Sequence, residues 1–312
     1  MRFGGVSTKE NYPVVKVNTG LFGLNNKPIV FSMSKELADL ARSVRSSYER
    51  LNHSKQYGNA LLDEGIESSI MDKAEGVEIE YTIKALHEAV RVNKKEFSIR
   101  EWHKYITTGI TGSHSEYRKT WNEDESGEKP SMISLRMRGI KSSMERLDMQ
   151  NIIKACLIYF YVLYVKPFDS ANGRVARLWV YHYLCHNGFP KVEYIVLSEK
   201  KALSTYDNLI IKAYRDSSDV VDITEFIEFQ LNEFLKAFNK SRHLGDLSQN
   251  EAVFLTKLRN LDKSVLTLEY VERNLGIEKN SVKYNINKLV TKGYLIKEKE
   301  NSVVKYYLKI KQ

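Results

Sequence analysis

Apolar residues recur along most of this chain at helical spacing. Leu37, Leu40, Ala41 and Val44 share one face of a helix that Ser34 would cap and that would run to about Tyr48. The same period predicts helices near Tyr57–Met71, Glu80–Arg91 and Ser98–Thr107, then a mostly apolar run over Ile152–Val165. Further helices are expected over Leu178–His186, stopped by Asn187-Gly188, and over Ser198–Tyr214 and Ile223–Phe238. Residues 1–33 read as irregular or weakly extended, with turns at Gly4-Gly5 and Asn25-Asn26. Between Tyr117 and Ile140 the period changes: Gly127, Pro130 and the alternation of Met132-Ile133-Ser134-Leu135-Arg136 predict a β-hairpin. From Leu247 onward the pattern gives helices over Gln249–Asn260, Leu268–Leu275 (turned by Gly276) and Asn280–Lys292. Two strands follow, Tyr294–Ile296 and Val303–Leu308, around a turn at Glu300-Asn301-Ser302. The expected class is mainly α, with a helical N-terminal region (1–90), a central helical domain (91–240) and a C-terminal module (247–312). A helix over Asn232–Lys240 and the segment Arg242-His243-Leu244-Gly245 would form the hinge before that module.

Composition narrows the classes. Of 312 residues 42% are apolar and 11% aromatic, ample for a globular core. The net charge of +9 points to an acidic partner such as a nucleotide or nucleic acid. The run Ala155–Val165 is too short to span a bilayer, and Met1–Asn18 is too polar for a signal peptide, so a cytoplasmic protein without a membrane partner is expected. Cys156 and Cys185 sit in helical, apolar surroundings and read as buried free thiols. His182 and His186 are four apart but lack further metal ligands, and read as ordinary helix residues.

The chemistry concentrates in Lys166-Pro167-Phe168-Asp169-Ser170-Ala171-Asn172-Gly173-Arg174-Val175-Ala176-Arg177. Asn172 and Gly173 suit a tight bend, and glycine permits the close approach that a phosphate needs. Free N–H groups at the start of the next helix would point at an anion. Arg174 and Arg177, one turn apart, can grip phosphate oxygens together.

This stretch resembles the signature of the Fic family, H-P-F-x-(D/E)-G-N-G-R-x-x-R, whose members typically transfer AMP from ATP to a Ser, Thr or Tyr hydroxyl of a target protein. Pro167, Phe168, Asn172, Gly173, Arg174 and Arg177 match it, whereas Lys166 replaces the histidine, Ser170 the metal-holding acid and Ala171 the first glycine. The resemblance implies a Fic-type helical bundle with a β-hairpin flap that clamps the target's backbone as an added strand. It also implies ATP as substrate or ligand, phosphates on Arg174 and Arg177 with support from Asn172 and Gly173, and Phe168 packing the loop. Tyr206 would reach the adenine side. Lys166 would act as an unusual base or as a cation stabilising phosphate charge; a lysine near its reference pKa of about 10.4 takes no proton at neutral pH. Ser170 is a weak Mg²⁺ ligand, and Asp169 is the carboxylate that could substitute. AMP transfer and a lapsed, nucleotide-sensing role both stay open.

Many family members also carry an inhibitory helix with the pattern (S/T)-x-x-x-E-(G/N). Ser68-Ser69-Ile70-Met71-Asp72-Lys73 resembles it, with Asp72 for Glu and Lys73 for the small residue. Asp72, one methylene shorter, is poorly placed to reach Arg177; Glu75-Gly76 is the alternative carboxylate.

The helix order and hairpin after Leu247 look like a winged helix-turn-helix, and that stretch carries 13 Lys and Arg against 7 Asp and Glu. On its third helix Val282, Ile286 and Leu289 would face inward. Ser281, Lys283, Tyr284, Asn287 and Lys288 would face a DNA major groove and its phosphates, and Lys297, Lys299 and Lys305 would charge the wing. Protein docking is the other use of such a module, and assembly into a homo-oligomer stays open.

Overall fold

The computed structural model describes residues 13–51, 60–91, 98–108, 116–122, 126–216, 218–244, 249–259, 261, 265–292, 294–300 and 303–308. Its elements are β1 (Val15–Phe22), β2 (Pro28–Met33), α1 (Lys35–Glu49), α2 (Ala60–Met71), α3 (Val77–Arg91), α4 (Ile99–Ile106), α5 (Pro130–Arg146), α6 (Asn151–Val165), α7 (Asn172–His186), α8 (Leu203–Arg215), β3 (Val221–Asp222) and α9 (Thr224–Leu244). After them come α10 (Gln249–Arg259), β4 (Val265–Leu266), α11 (Leu268–Leu275), α12 (Lys279–Thr291), β5 (Leu295–Glu300) and β6 (Val303–Leu308). The chain divides into two compact units, one of residues 1–50 and 59–239, the other of 51–58 and 240–312.

The first unit is organised around α6. Ile152, Ile153, Ala155–Val162, Tyr164 and Val165 are all buried, so this helix is apolar on nearly every side and other elements must surround it. Its principal partner is α7, which buries Val175, Ala176, Leu178, Val180, Tyr181 and Leu184. Helix α1 starts where expected, with the Ser34 hydroxyl accepting from Leu37 N, and Ser98 with Glu101 forms a capping box on α4. Residues 15–33 depart from the irregular reading. They form an antiparallel hairpin whose second strand pairs in parallel with β3, Ile29 opposite Val221. Residues 57–59 of the second expected helix lie outside the described residues.

The expected strand over Met132–Arg136 is a correction. Pro130–Arg146 is an α-helix with proline in its first turn, and Ile133, Met137, Ile140 and Met144 form its buried stripe. That spacing is helical over four turns; the five-residue alternation was too short to outweigh it. No strand occurs among the described residues of 116–146. The stretch ahead of α5 still lies along the motif, as backbone hydrogen bonds from Arg118 N to Pro167 O (3.0 Å) and from Glu128 N to Val165 O (3.0 Å) show.

In the second unit, α10, α11 and α12 pack on a sheet of order β4-β6-β5. Its core contains Leu255, Leu258, Leu266, Val271, Val282, Ile286, Leu289 and Tyr306. Gly276 closes α11 in the left-handed conformation. The short strand β4 had no sequence signal beyond Val265-Leu266. The segment read as a hinge continues α9 as far as Leu244, and Gly245 lies outside the described residues.

Two non-glycine residues with positive φ bracket the motif loop: Lys166 (φ 46), which caps α6, and Ala171 (φ 59), which caps the start of α7. Each costs roughly 1 kcal/mol for its Cβ. Ala171→Gly is therefore expected to be neutral or to stabilise by up to ~1 kcal/mol in urea unfolding, whereas an Ala→Gly change inside a helix costs about 1 kcal/mol.

Candidate anion-binding site

Helix α7 begins without a side-chain cap of its own, so the N–H groups of its first turn point outward. What fills that position is a carboxylate from α2. Asp72 Oδ2 accepts from Arg174 N (2.8 Å), and Asp72 Oδ1 accepts from Arg177 Nη2 (2.5 Å). Asp72 caps the C-terminal end of α2. Bonds from Ala74 N to Ser69 O (2.9 Å) and Lys73 N to Ile70 O (3.1 Å), with Lys73 at φ 56, make a Schellman turn there. The small residue of the inhibitory pattern thus falls on a left-handed position that Lys73 occupies at some strain.

Asp72 therefore reaches Arg177, against the expectation that its shorter side chain would not. The close approach explains why. A Cβ on Gly173 would collide with Asp72 Oδ1, so the bare backbone lets the carboxylate come in further than a side chain would allow. Ser68 completes the grip, accepting from Arg177 Nε at its hydroxyl (2.8 Å) and from Nη2 at its carbonyl (2.7 Å). Burial works to lower the Arg177 pKa, but Asp72 and Tyr159 outweigh it and the group is held above its usual value. Arg174 pairs with Glu78 Oε1 (3.3 Å) and approaches Asp72 Oδ2 (3.6 Å). Its Nε and Nη1 are buried without a hydrogen-bond partner.

The loop ahead of α7 is pinned by Asn172, whose side chain accepts from Phe168 N (3.0 Å) and donates to Phe168 O (2.8 Å). Asn172 thus shapes the loop, where the resemblance gave it a phosphate. Phe168 is buried and stacked on His103, ring centroids 3.8 Å apart. Pro167 is buried beside it and offers its carbonyl to Arg118 N. Arg118, which the sequence reading missed, is 2% exposed. It donates from Nε to Lys166 O (2.7 Å), from Nη1 to Thr120 O (2.9 Å) and from Nη2 to Glu128 O. Nothing in its local sequence marks it, because its partners are backbone carbonyls, Lys166 O among them 48 residues along the chain.

Lys166 is half-buried and donates from Nζ to Ser126 Oγ. Asp207, on α8, faces the same mouth: partial burial raises its pKa, Lys166 opposes this and Asp72 adds to it. Asp169 and Ser170 are both exposed, and among the described residues no group of three His, Cys, Asp or Glu gathers that could hold a metal. One exposed carboxylate beside a neutral serine is a poor fit to Mg²⁺. Tyr206 is buried, 5% exposed, edge-on to Tyr159 (5.1 Å) and Phe229 (4.8 Å). It lines a small pocket with Arg177, Glu64, Gln230 and Glu233, and rings of Tyr159, Phe226 and Phe229 pack around it.

The remaining candidates behave as ordinary residues. His182 Nδ1 and His186 Nε2 both meet Ala89 O, at 3.0 and 3.1 Å. Cys156 and Cys185 are free thiols, and burial pushes Cys185 up to about 12. Glu75, the alternative inhibitory carboxylate, is exposed, and its N donates to Glu78 Oε2 (3.4 Å). On α12, Ser281, Lys283, Tyr284 and Asn287 are exposed, whereas Lys288 is half-buried, over the Tyr284 ring (4.5 Å) and 3.6 Å from Glu251 Oε1. Among the described residues no helix is long and apolar enough to cross a membrane.

Residues 95–184 match the model of the Fic/DOC family. The fold is similar to that of a Fic family protein from Desulfovibrio desulfuricans G20, with a TM-score of 0.56 and 14% identity over 90% of this chain and 98% of that one. It is also similar to a Fic domain-containing signalling protein from Bacteroides thetaiotaomicron VPI-5482, with a TM-score of 0.54 and 17% identity over 66% of this chain and 96% of that one. No curated protein matches the sequence.

Glu64, on α2, is fully buried, and burial raises its carboxyl to about 7 against its hydrogen bonds with Ser198 and the pull of Arg177. An acid whose folded pKa exceeds its unfolded one costs nothing below the unfolded value, near 4.5, and progressively more up to about 7. Wild type minus Glu64→Gln should therefore lose stability as pH rises from about 4.5 to 7, by on the order of 3 kcal/mol, in urea unfolding at fixed ionic strength. A flat difference would contradict the burial.

Proposed function

We propose that this chain, whose residues 95–184 form a Fic/DOC family domain, binds a nucleoside triphosphate at the N-terminus of α7. Its reaction by descent is transfer of AMP to a hydroxyl of a target protein. The observation that carries the reading is the seat of Asp72: a negatively charged group already sits on Arg174 N and the Arg177 guanidinium, over a glycine with no Cβ. A site built for a carboxylate in this way suits a phosphate as well. The buried Nε and Nη1 of Arg174 make no hydrogen bond, with Nε 3.6 Å from Asp72 Oδ2, and leave donors to spare for phosphate oxygens. Ser68 and Asp72 then act as the inhibitory segment, and nucleotide enters when they leave.

In the transfer, the target oxygen bonds to the α-phosphorus, pyrophosphate leaves, and the hydroxyl proton passes to solvent, since Lys166 stands where the family has its histidine base. Lys166, held beside Ser126, is left to balance phosphate charge. Turnover is accordingly slow, while binding persists. The poor fit of Asp169 and Ser170 to Mg²⁺ points the same way. Residues 116–122 and 126–129, tied to the motif backbone through Arg118 N and Glu128 N, are the surface for the target in place of the expected hairpin.

A second reading rests on the other unit. Its helix order and β4-β6-β5 sheet support the winged-helix reading, and Ser281, Lys283, Tyr284 and Asn287 are exposed on α12 as a polar, basic set. On this reading the unit binds DNA and the nucleotide site regulates it.

Asp72→Ala should tighten ATP binding at least tenfold in calorimetry, about 1.4 kcal/mol. No binding by either protein would sink the nucleotide reading. With labelled ATP, Mg²⁺ and lysate, Asp72→Ala should label protein weakly and the triple variant with Lys166→His and Ser170→Asp strongly. Equal labelling would show that Lys166 does not limit the chemistry. DNA binding should weaken steeply with salt, and Lys283→Ala should reduce the slope by about 1.

A further inference from the structure

Glu64, Ser68 and Asp72 are spaced four apart and make one stripe of polar contacts along α2. Ser68 and Asp72 hold the arginines of α7; Glu64 holds something else. Its Oε2 accepts from Leu197 N (2.8 Å) and Ser198 N (2.8 Å), and its Oε1 is 2.5 Å from Ser198 Oγ. Leu197 and Ser198 lie in the segment that leads into α8 and line the same small pocket as Glu64 and Arg177.

We infer that Glu64 is the anchor of the inhibitory segment: by fixing α2 to the backbone at 197–198 it positions Asp72 on α7, and releasing it frees the site. The inference rests on the nucleotide reading above. The argument is geometric. Asp72 and Ser68 alone fasten only the C-terminal half of α2, at a place where any competing phosphate contends with them directly. Glu64 lies two turns away, is fully buried and bonds to two backbone N–H groups, so nothing that enters beside Arg174 displaces it. Two backbone donors and a hydroxyl converging on one carboxyl also make a contact that its neutral form satisfies, with the proton on Oε1 directed at Ser198 Oγ. A glutamine keeps the same pattern, carbonyl toward the two N–H groups and amide toward the hydroxyl. An alanine orphans both N–H groups.

The test uses the full chain and two readouts, hydrogen exchange of the α2 amides and ATP affinity by calorimetry. Glu64→Ala should raise exchange over residues 60–72 at least tenfold and tighten ATP binding several-fold, in the direction of Asp72→Ala. Glu64→Gln should match wild type in both at pH 6. Wild-type α2 exchange in a folded Glu64→Ala, or release in Glu64→Gln equal to that in Glu64→Ala, overturns the anchor. Should Glu64→Ala fail to fold, Ser198→Ala, which deletes one of the three bonds, decides by the same exchange measurement: faster α2 exchange supports the anchor and unchanged exchange overturns it. If Asp72→Ala binds no ATP the nucleotide reading fails, and the exchange data still judge Glu64 separately.

Discussion

The site depends on a carboxylate placed where the C-terminal end of one helix meets the N-terminal end of another. Asp72 sits at the electronegative end of α2, which by itself disfavours it, and at the electropositive start of α7, which favours it. Two arginines decide the balance. Removing one partner of a buried ion pair ordinarily strands the other at a cost of about 3–5 kcal/mol. Arg177 is protected from that, because Ser68 supplies it with two further acceptors. The closed state is thus held firmly without making the open state prohibitive, as exchange of a carboxylate for a phosphate requires.

Around that contact the protein keeps the motif loop rigid by backbone means. Carbonyls of three successive residues, Val165, Lys166 and Pro167, accept from Glu128 N, Arg118 Nε and Arg118 N respectively. Asn172 locks Phe168 from inside the loop. Arg118 carries its charge into the interior to reach carbonyls at several points, and Glu128 in turn pairs with Arg136 (2.6 Å). This scaffold supports two left-handed residues that a freer loop would relax, and it fixes the direction in which Lys166 leaves α6.

Much of this was legible beforehand. The apolar run of α6, the Ser34 cap and the placing of Arg174 and Arg177 one turn apart follow from period, capping chemistry and spacing, whereas the bend expected at Asn172-Gly173 falls one residue earlier, at Ala171, and those two residues open α7. What escaped had weaker or longer-range signals. A five-residue alternation in α5 mimicked a strand; the pairing of β2 with β3 joins residues nearly two hundred positions apart; Arg118 is recognisable only from the carbonyls that surround it. The pairing of Ser68 and Asp72 with Arg177 was legible in the inhibitory pattern, but the close approach that Gly173 permits depends on how two helices meet, which no local pattern encodes. Tyr206 shows the converse: its position relative to the motif suggested a nucleoside contact, yet Tyr159, Phe226 and Phe229 already cover its ring.

Because Asp72 belongs to the same polypeptide as the arginines it occupies, dilution does not remove it. A tethered group competes at an effective concentration set by the chain, in the millimolar range for a short flexible tether and higher for a helix already docked. Under the proposed function, a diffusing nucleotide must exceed that figure, scaled by its intrinsic advantage, before occupancy rises. On that reading the arrangement is a concentration filter, silent toward scarce anions and answering only to abundant ones or to whatever lifts the helix away.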